Sequence, residues 1–87
     1  MVYRIQIIHA AQKQILDIPE KQRMEIVPAI DALANIPRPV GCKKLRGIEL
    51  WRFRLGRYRV IYQIEYTNQM VTVVRVALRQ EDTYRGL

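Results

Sequence analysis

KLRGIELWRFRLGRYRVIYQI, residues 44–64, decides how the chain folds. From Ile48 onward large apolar residues alternate with polar ones. That period of two marks strands with one buried face. Gly56-Arg57 interrupts the alternation and supplies the Gly-X pair of a two-residue hairpin turn. The pattern predicts strands over 50–55 and 58–66. Leu55 then faces Tyr58, Arg54 faces Arg59, Phe53 faces Val60 and Arg52 faces Ile61. Trp51, Phe53, Leu55, Tyr58, Val60 and Tyr62 share the expected core face. Arg52, Arg54 and Arg59 share the other. Like charges facing each other across a sheet repel, so this placement costs stability and points to a ligand outside the chain.

Downstream, Met70–Arg79 reads as a further strand after a turn at Thr67-Asn68-Gln69. A three-residue loop there pairs Tyr66 with Met70 and Ile61 with Arg75. Val74, Val76 and Leu78 then enter the core, and Arg75 and Arg79 join the basic face. A two-residue loop would bury both arginines, which is expensive without partners. The tail QEDTYRGL reads as polar, with Tyr84 close enough to swing over the basic face.

Upstream, Val2–Ile8 predicts a strand. Ala11, Ile15 and Ile18 recur at helical spacing, and Ile26, Ile30 and Leu33 mark a second helix over 21–35. Pro19 ends the first helix or opens the second. Pro28 kinks the second or marks its true start. IPRPVGCKK reads as a loop. The order β-α-α-β-β-β predicts an α+β fold: one antiparallel sheet with the helices packed on one face, in a single domain over 1–87.

The chain has 87 residues, 49% of them apolar, and a net charge of +7. Residues 1–42 hold net +1 and residues 43–87 net +6, so the charge belongs to the C-terminal half. Eleven of the fifteen cations are arginine, which suits bidentate contact with phosphate. A solvated surface would more usually use lysine and glutamate. No apolar run reaches the roughly 20 residues of a membrane span. Arg4 interrupts the apolar start, which does not read as an export signal. Cys42 is the one cysteine, so a reducing, cytoplasmic setting is expected. His9 is the one histidine and makes neither a dyad nor a metal site; it reads as a capping or packing residue. Glu49, Glu65, Glu81 and Asp82 fall mostly at strand ends, which does not suit them to space the arginines; Glu81 and Asp82 read as partners of neighbouring arginines or a cover for the basic face rather than as metal ligands.

PRPVGCKKLRG (37–47), LWRFRLGRYRVIYQI (50–64) and VVRVALRQEDTYR (73–85) together resemble the RelE/ParE superfamily of bacterial type II toxins, in its RelE-like branch. The K-L-R-G turn, the G-x-Y-R-x-x-Y hairpin and the late R-x-x-x-x-Y carry the resemblance. It implies a RelE-like fold and a ribosome-dependent endoribonuclease that cuts messenger RNA in the A site. The 2′-hydroxyl would attack the adjacent 3′-phosphate, with no metal and no cofactor. The family's hairpin lysines correspond to Arg52 and Arg54, its hairpin arginine to Arg59, its last-strand arginine to Arg79 and its C-terminal tyrosine to Tyr84. Arginine stays protonated, with a pKa above roughly 12, so Arg52 and Arg54 grip phosphate rather than act as bases. Arg75, Lys43, Lys44 and Arg46 are further candidates for contact with RNA. The resemblance also implies an antitoxin whose acidic or partly disordered segment covers the basic face, and a toxin–antitoxin complex that binds operator DNA. The ribosome and message are the other partners; a membrane is not. Two other functions fit the same residues: a ParE-like gyrase poison and a non-catalytic nucleic-acid-binding repressor module.

Overall fold

The computed structural model describes residues 2–78. The element order is β1 (Arg4–Ile7), α1 (His9–Leu16), α2 (Glu20–Asp31), a 3-10 turn (Ala32–Ala34), β2 (Lys43–Lys44), β3 (Trp51–Leu55), β4 (Tyr58–Glu65) and β5 (Met70–Leu78). They form one five-stranded sheet in the order β1-β5-β4-β3-β2. β2 through β5 are antiparallel, and β1 runs parallel to β5 with Ile5 opposite Val71 and Ile7 opposite Val73. The sheet is therefore mixed rather than wholly antiparallel. The helical crossover returns the chain to the far side of the sheet, which a local pattern does not encode.

Both helices cover one face. Ala11, Ile15, Ile18, Ile26, Ile30 and Leu33 meet Phe53, Val60, Tyr62, Val71, Val73 and Val76 in one buried cluster. These are the helical positions that the i, i+4 spacing marks. Pro19 caps α2, and Pro28 lies inside that helix rather than at its start. Proline there removes the N–H that Met24 O would accept. Met24 is 69% exposed, which leaves that turn on the solvent side of the helix. His9 opens α1 exposed to solvent and does not pack.

The β3–β4 hairpin has the expected register: Leu55 opposite Tyr58 and Arg54 opposite Arg59. Gly56 takes φ +59 at the first turn position, where a side chain would be strained. The β4–β5 connection differs from expectation. Glu65, not Tyr66, pairs with Met70, so the loop is one residue longer. This register buries Val71 and Val73 completely, where the shorter loop would have buried Met70 and Thr72 instead. Full burial of a valine is worth about 1.5–3 kcal/mol. A bulge between Ile61 and Tyr62 then inserts Val74, which is half-buried and not a core residue. Beyond it Ile61 pairs with Arg75 and Val60 with Val76, as the sequence predicts. The loop before β3 also gains structure, since Lys43 and Lys44 pair with Arg52 and Trp51.

Candidate nucleic-acid interface

Side chains on directly paired residues share a sheet face. Lys43 pairs with Arg52, Arg52 with Ile61, and Ile61 with Arg75. These four form one row across β2, β3, β4 and β5, on the face opposite the helices. Three inter-strand steps of roughly 4.8 Å make the row about 14 Å long. Arg54, Arg59 and Ala77 form the next row. Arg54 is exposed, while Arg52, Arg59 and Arg75 are half-buried. Ile61 is 2% exposed although it lies outside the helix-side cluster. Arg52 and Arg75 flank it, so their stems stand beside an apolar floor, and the Nε of Arg75 is itself buried.

The same face changes character along the strands. Its other end carries Gln6, Thr72 and Gln63 in one row and Arg4, Met70 and Glu65 in the next. Positive charge is thus concentrated at the end of the face near the β3–β4 turn. Arg57 sits in that turn, fully outside the rows.

The remaining basic candidates separate. Lys43 joins the first row. Lys44 has the opposite parity, in line with Trp51 and Tyr62, and its Nζ makes an ion pair with Glu49 at 3.2 Å. Arg46 is exposed in the β2–β3 loop, which Leu45 N–H closes on Leu50 O at 2.8 Å. Glu65 accepts from Asn68 Nδ2 at 2.6 Å. Arg79 and Tyr84, and the acids Glu81 and Asp82, lie outside the described residues.

Several aromatic residues serve the scaffold. The Tyr62 hydroxyl donates to Pro37 O at 2.8 Å and so ties the proline loop to β4. Burial, with the Cys42 thiol beside it, pushes the Tyr62 phenol far above its usual value and keeps it a donor. Arg38 stands 5.7 Å from the Trp51 ring and 5.9 Å from Tyr66, and Tyr3 meets Tyr66 edge-on. The Arg38 contacts pin the same loop against β3 and the end of β4. The sequence gives Arg38 no signal beyond its neighbouring prolines.

At the other edge, a pocket of about 310 Å³ lies between the end of α1 and β5, with Gln14, Asp17, Tyr58 and Arg75 in its walls. Gln14 and Asp17 are three apart on a helix, a spacing any surface helix shows, so sequence alone does not single them out.

An α+β chain with a helix-covered mixed sheet and an arginine-lined open face belongs to a recognisable class of small toxins. The RelE–RelB complex of Pyrococcus horikoshii superposes with a TM-score of 0.82 at 28% identity, over 93% of this chain and 99% of that one. The isolated Escherichia coli RelE toxin shares the fold, with a TM-score of 0.79 at 21% identity over 93% of this chain and 88% of that one. A Methanocaldococcus jannaschii protein named as toxin RelE1 is 26% identical over 90 residues, spanning 99% of both chains. Residues 5–83 match the family described as the ParE toxin of type II toxin–antitoxin systems. The chain belongs to this RelE/ParE family and is a RelE-like toxin of a type II toxin–antitoxin system.

Proposed function

We propose that this toxin stops translation by cutting ribosome-bound messenger RNA. The observation that carries this reading is the alignment of Lys43, Arg52 and Arg75 in one row and Arg54 and Arg59 in the next, on one open face. Mutually repelling guanidinium groups gain a purpose when a phosphate backbone lies across them.

In this reading Arg59 and Arg79 hold the scissile phosphate, and Arg52 and Arg54 offset the charge that grows on it. The 2′-hydroxyl attacks the adjacent phosphorus and the bond to the 5′-oxygen breaks. The products are a 2′,3′-cyclic phosphate and a 5′-hydroxyl, with no water consumed. Tyr84 stacks on the nucleotide or accepts the 2′-hydroxyl proton. The departing 5′-oxygen takes a proton that the arginines do not supply at neutral pH; solvent or ribosomal RNA delivers it.

Removing one phosphate-holding donor is expected to slow cleavage by about 10²–10³. The test is cleavage of ribosome-bound message by Arg59→Ala and Arg79→Ala. Near-full activity in both variants would end the assignment.

The solved relatives with a partner are toxin–antitoxin complexes. For this chain we take the partner to be an antitoxin whose acidic or partly disordered segment covers the arginine rows, with the complex binding operator DNA. The setting is cytoplasmic, where ribosomes are. Among the described residues no helix is long and apolar enough to cross a membrane.

A second reading rests on the matching family description, which names ParE. A gyrase poison would provoke a DNA-damage response on induction and leave message intact. Translation arrest with cut message favours the nuclease.

A further inference from the structure

We propose that the open edge of β5 takes up an extended segment of the antitoxin as an added strand, with acidic residues on the arginine side and uncharged residues on the pocket side. The proposal rests on the antitoxin partner above and adds where its segment is held and in what pattern.

β5 outruns its neighbour. Pairing with β1 stops at Ile7 opposite Val73, and Ile8 N–H donates to Val73 O at 3.1 Å. From Val74 onward no strand covers this edge among the described residues. The direction of its backbone groups follows from the hairpin. Leu55 and Tyr58 close a two-residue turn and exchange their hydrogen bonds, so Tyr58 and Val60 turn their backbone toward β3. Leu78 and Val76, which lie opposite them, therefore point theirs away from β4. The bond from Val76 N–H to Gln14 Oε1 at 2.8 Å agrees. Val76 O and the N–H and C=O of Leu78 have no partner among the described residues. A glutamine side chain thus stands where the carbonyl of a neighbouring strand would. Backbone groups without a strand beside them are a template for another chain.

The pocket of about 310 Å³ lies along the same edge, with Asp17, Ile18, Tyr58 and Leu78 on the helix side and Arg75 and Ala77 from the open face. An added strand sends alternate side chains to these two sides. On the helix side Ile18, Tyr58 and Leu78 suit an apolar side chain, and the Asp17 carboxylate disfavours an acidic one. On the other side, a residue set against Arg75 extends the row of Arg52 and Lys43, and one set against Ala77 extends the row of Arg54 and Arg59. Carboxylates belong there. The alternation also fixes register, because a slip of one residue turns the acids toward Asp17. A second copy of this chain is a poor occupant, since it brings a net charge of +7 to a chain of net +7. An acidic segment is drawn to the same edge and continues from it over the arginine rows.

The test uses the complex with the cognate antitoxin, made by co-expression. Leu78→Pro removes an N–H that β4 does not use, which an edge strand tolerates. Leu78→Ala loses the side chain and keeps the N–H. The proline variant is expected to release the antitoxin about tenfold faster or more than the alanine variant, since a carbonyl of the segment loses its donor. Amide hydrogen exchange at Leu78, read by NMR, is expected to slow about tenfold or more when the wild-type chain binds the antitoxin. The antitoxin residues protected in the same experiment are expected to alternate acidic and uncharged. Equal release from the two variants, or unchanged exchange at Leu78 in the wild-type chain, would overturn the proposal, as would a protected segment without that alternation. The exchange measurement needs no variant to fold. Ribosome-dependent cleavage is scored in parallel. Strand pairing by a chain that cuts no message retains the edge and removes the nuclease assignment; cutting that the antitoxin stops without slowing exchange at Leu78 does the reverse.

Discussion

Arg75 lies directly opposite Ile61, and it does so because Val74 is an extra residue in β5. Before the bulge, Tyr62 pairs with Val73. Continued without interruption, that ladder would set Ile61 against Val74 and Val60 against Arg75. Arg75 would then point into the helix-covered core. One inserted residue reverses the parity. It lets Val73 and Val76 both face inward while Arg75 joins the row of Arg52 and Lys43.

Deleting Val74 is therefore expected to be tolerated. It removes the extra residue, and the regular ladder that remains keeps Arg75 opposite Ile61 and Val76 opposite Val60. The expected result is a cooperative thermal transition by circular dichroism in the deletion variant, as in Val74→Ala. Loss of that transition in the deletion variant alone would mean that the added twist of the bulge, rather than the parity it sets, holds the sheet together.

The two lysines of β2 should differ. Arg52→Ala, Arg54→Ala and Lys43→Ala are each expected to lower the salt dependence of RNA binding by about 0.7 in the log–log slope. Lys44→Ala should leave the slope unchanged, because Lys44 has the opposite parity and pairs with Glu49. Fluorescence anisotropy with a short RNA at several salt concentrations measures this. Equal effects from Lys43 and Lys44 would contradict the row.

Tyr62→Phe removes the hydrogen bond to Pro37 and is expected to cost about 1 kcal/mol. The cost should depend on pH. The folded phenol holds its proton more tightly than the unfolded one, whose value is near 10. Its contribution is fully present below that value and falls as pH rises above it, because only the unfolded chain releases the proton. The stability gap between wild type and Tyr62→Phe, from urea melts, should be flat to about pH 9 and shrink above about pH 10.

Gly56→Ala tests the hairpin turn. An added Cβ would meet nothing within 4 Å, so the penalty comes from φ +59 alone. Roughly 1–2 kcal/mol is expected, with a fall in Tm of about 4–8 °C for each kcal/mol. An unchanged Tm would mean that the turn relaxes to another type.

Much of the fold is legible locally. The helix faces are read from Ala11, Ile15, Ile26, Ile30 and Leu33, because a 3.6-residue period is a property of neighbours in sequence. The β3–β4 hairpin is read from Gly56-Arg57, since a two-residue turn fixes register by itself. From these alone Arg52, Arg54 and Arg59 fall on one face. The β4–β5 register is harder, because a loop of three or four residues moves every side chain to the other face. Competition among Met70, Val71, Thr72 and Val73 for the core settles it. The pocket at Gln14 and Asp17 had no sequence signature at all; it exists because α1 passes a strand edge that β1 leaves uncovered.

Sequence by itself determined the alternation, the turn at Gly56 and the surplus of arginine in the second half, all of which depend on residues a few positions apart. Tertiary structure decided the parallel union of β1 with β5, the bulge at Val74 and the meeting of Lys43, Arg52 and Arg75. Those choices are made by burial and hydrogen bonding between segments distant along the chain, where the gain from enclosing Val71, Val73 and Val76 together outweighs the irregularity that joins them.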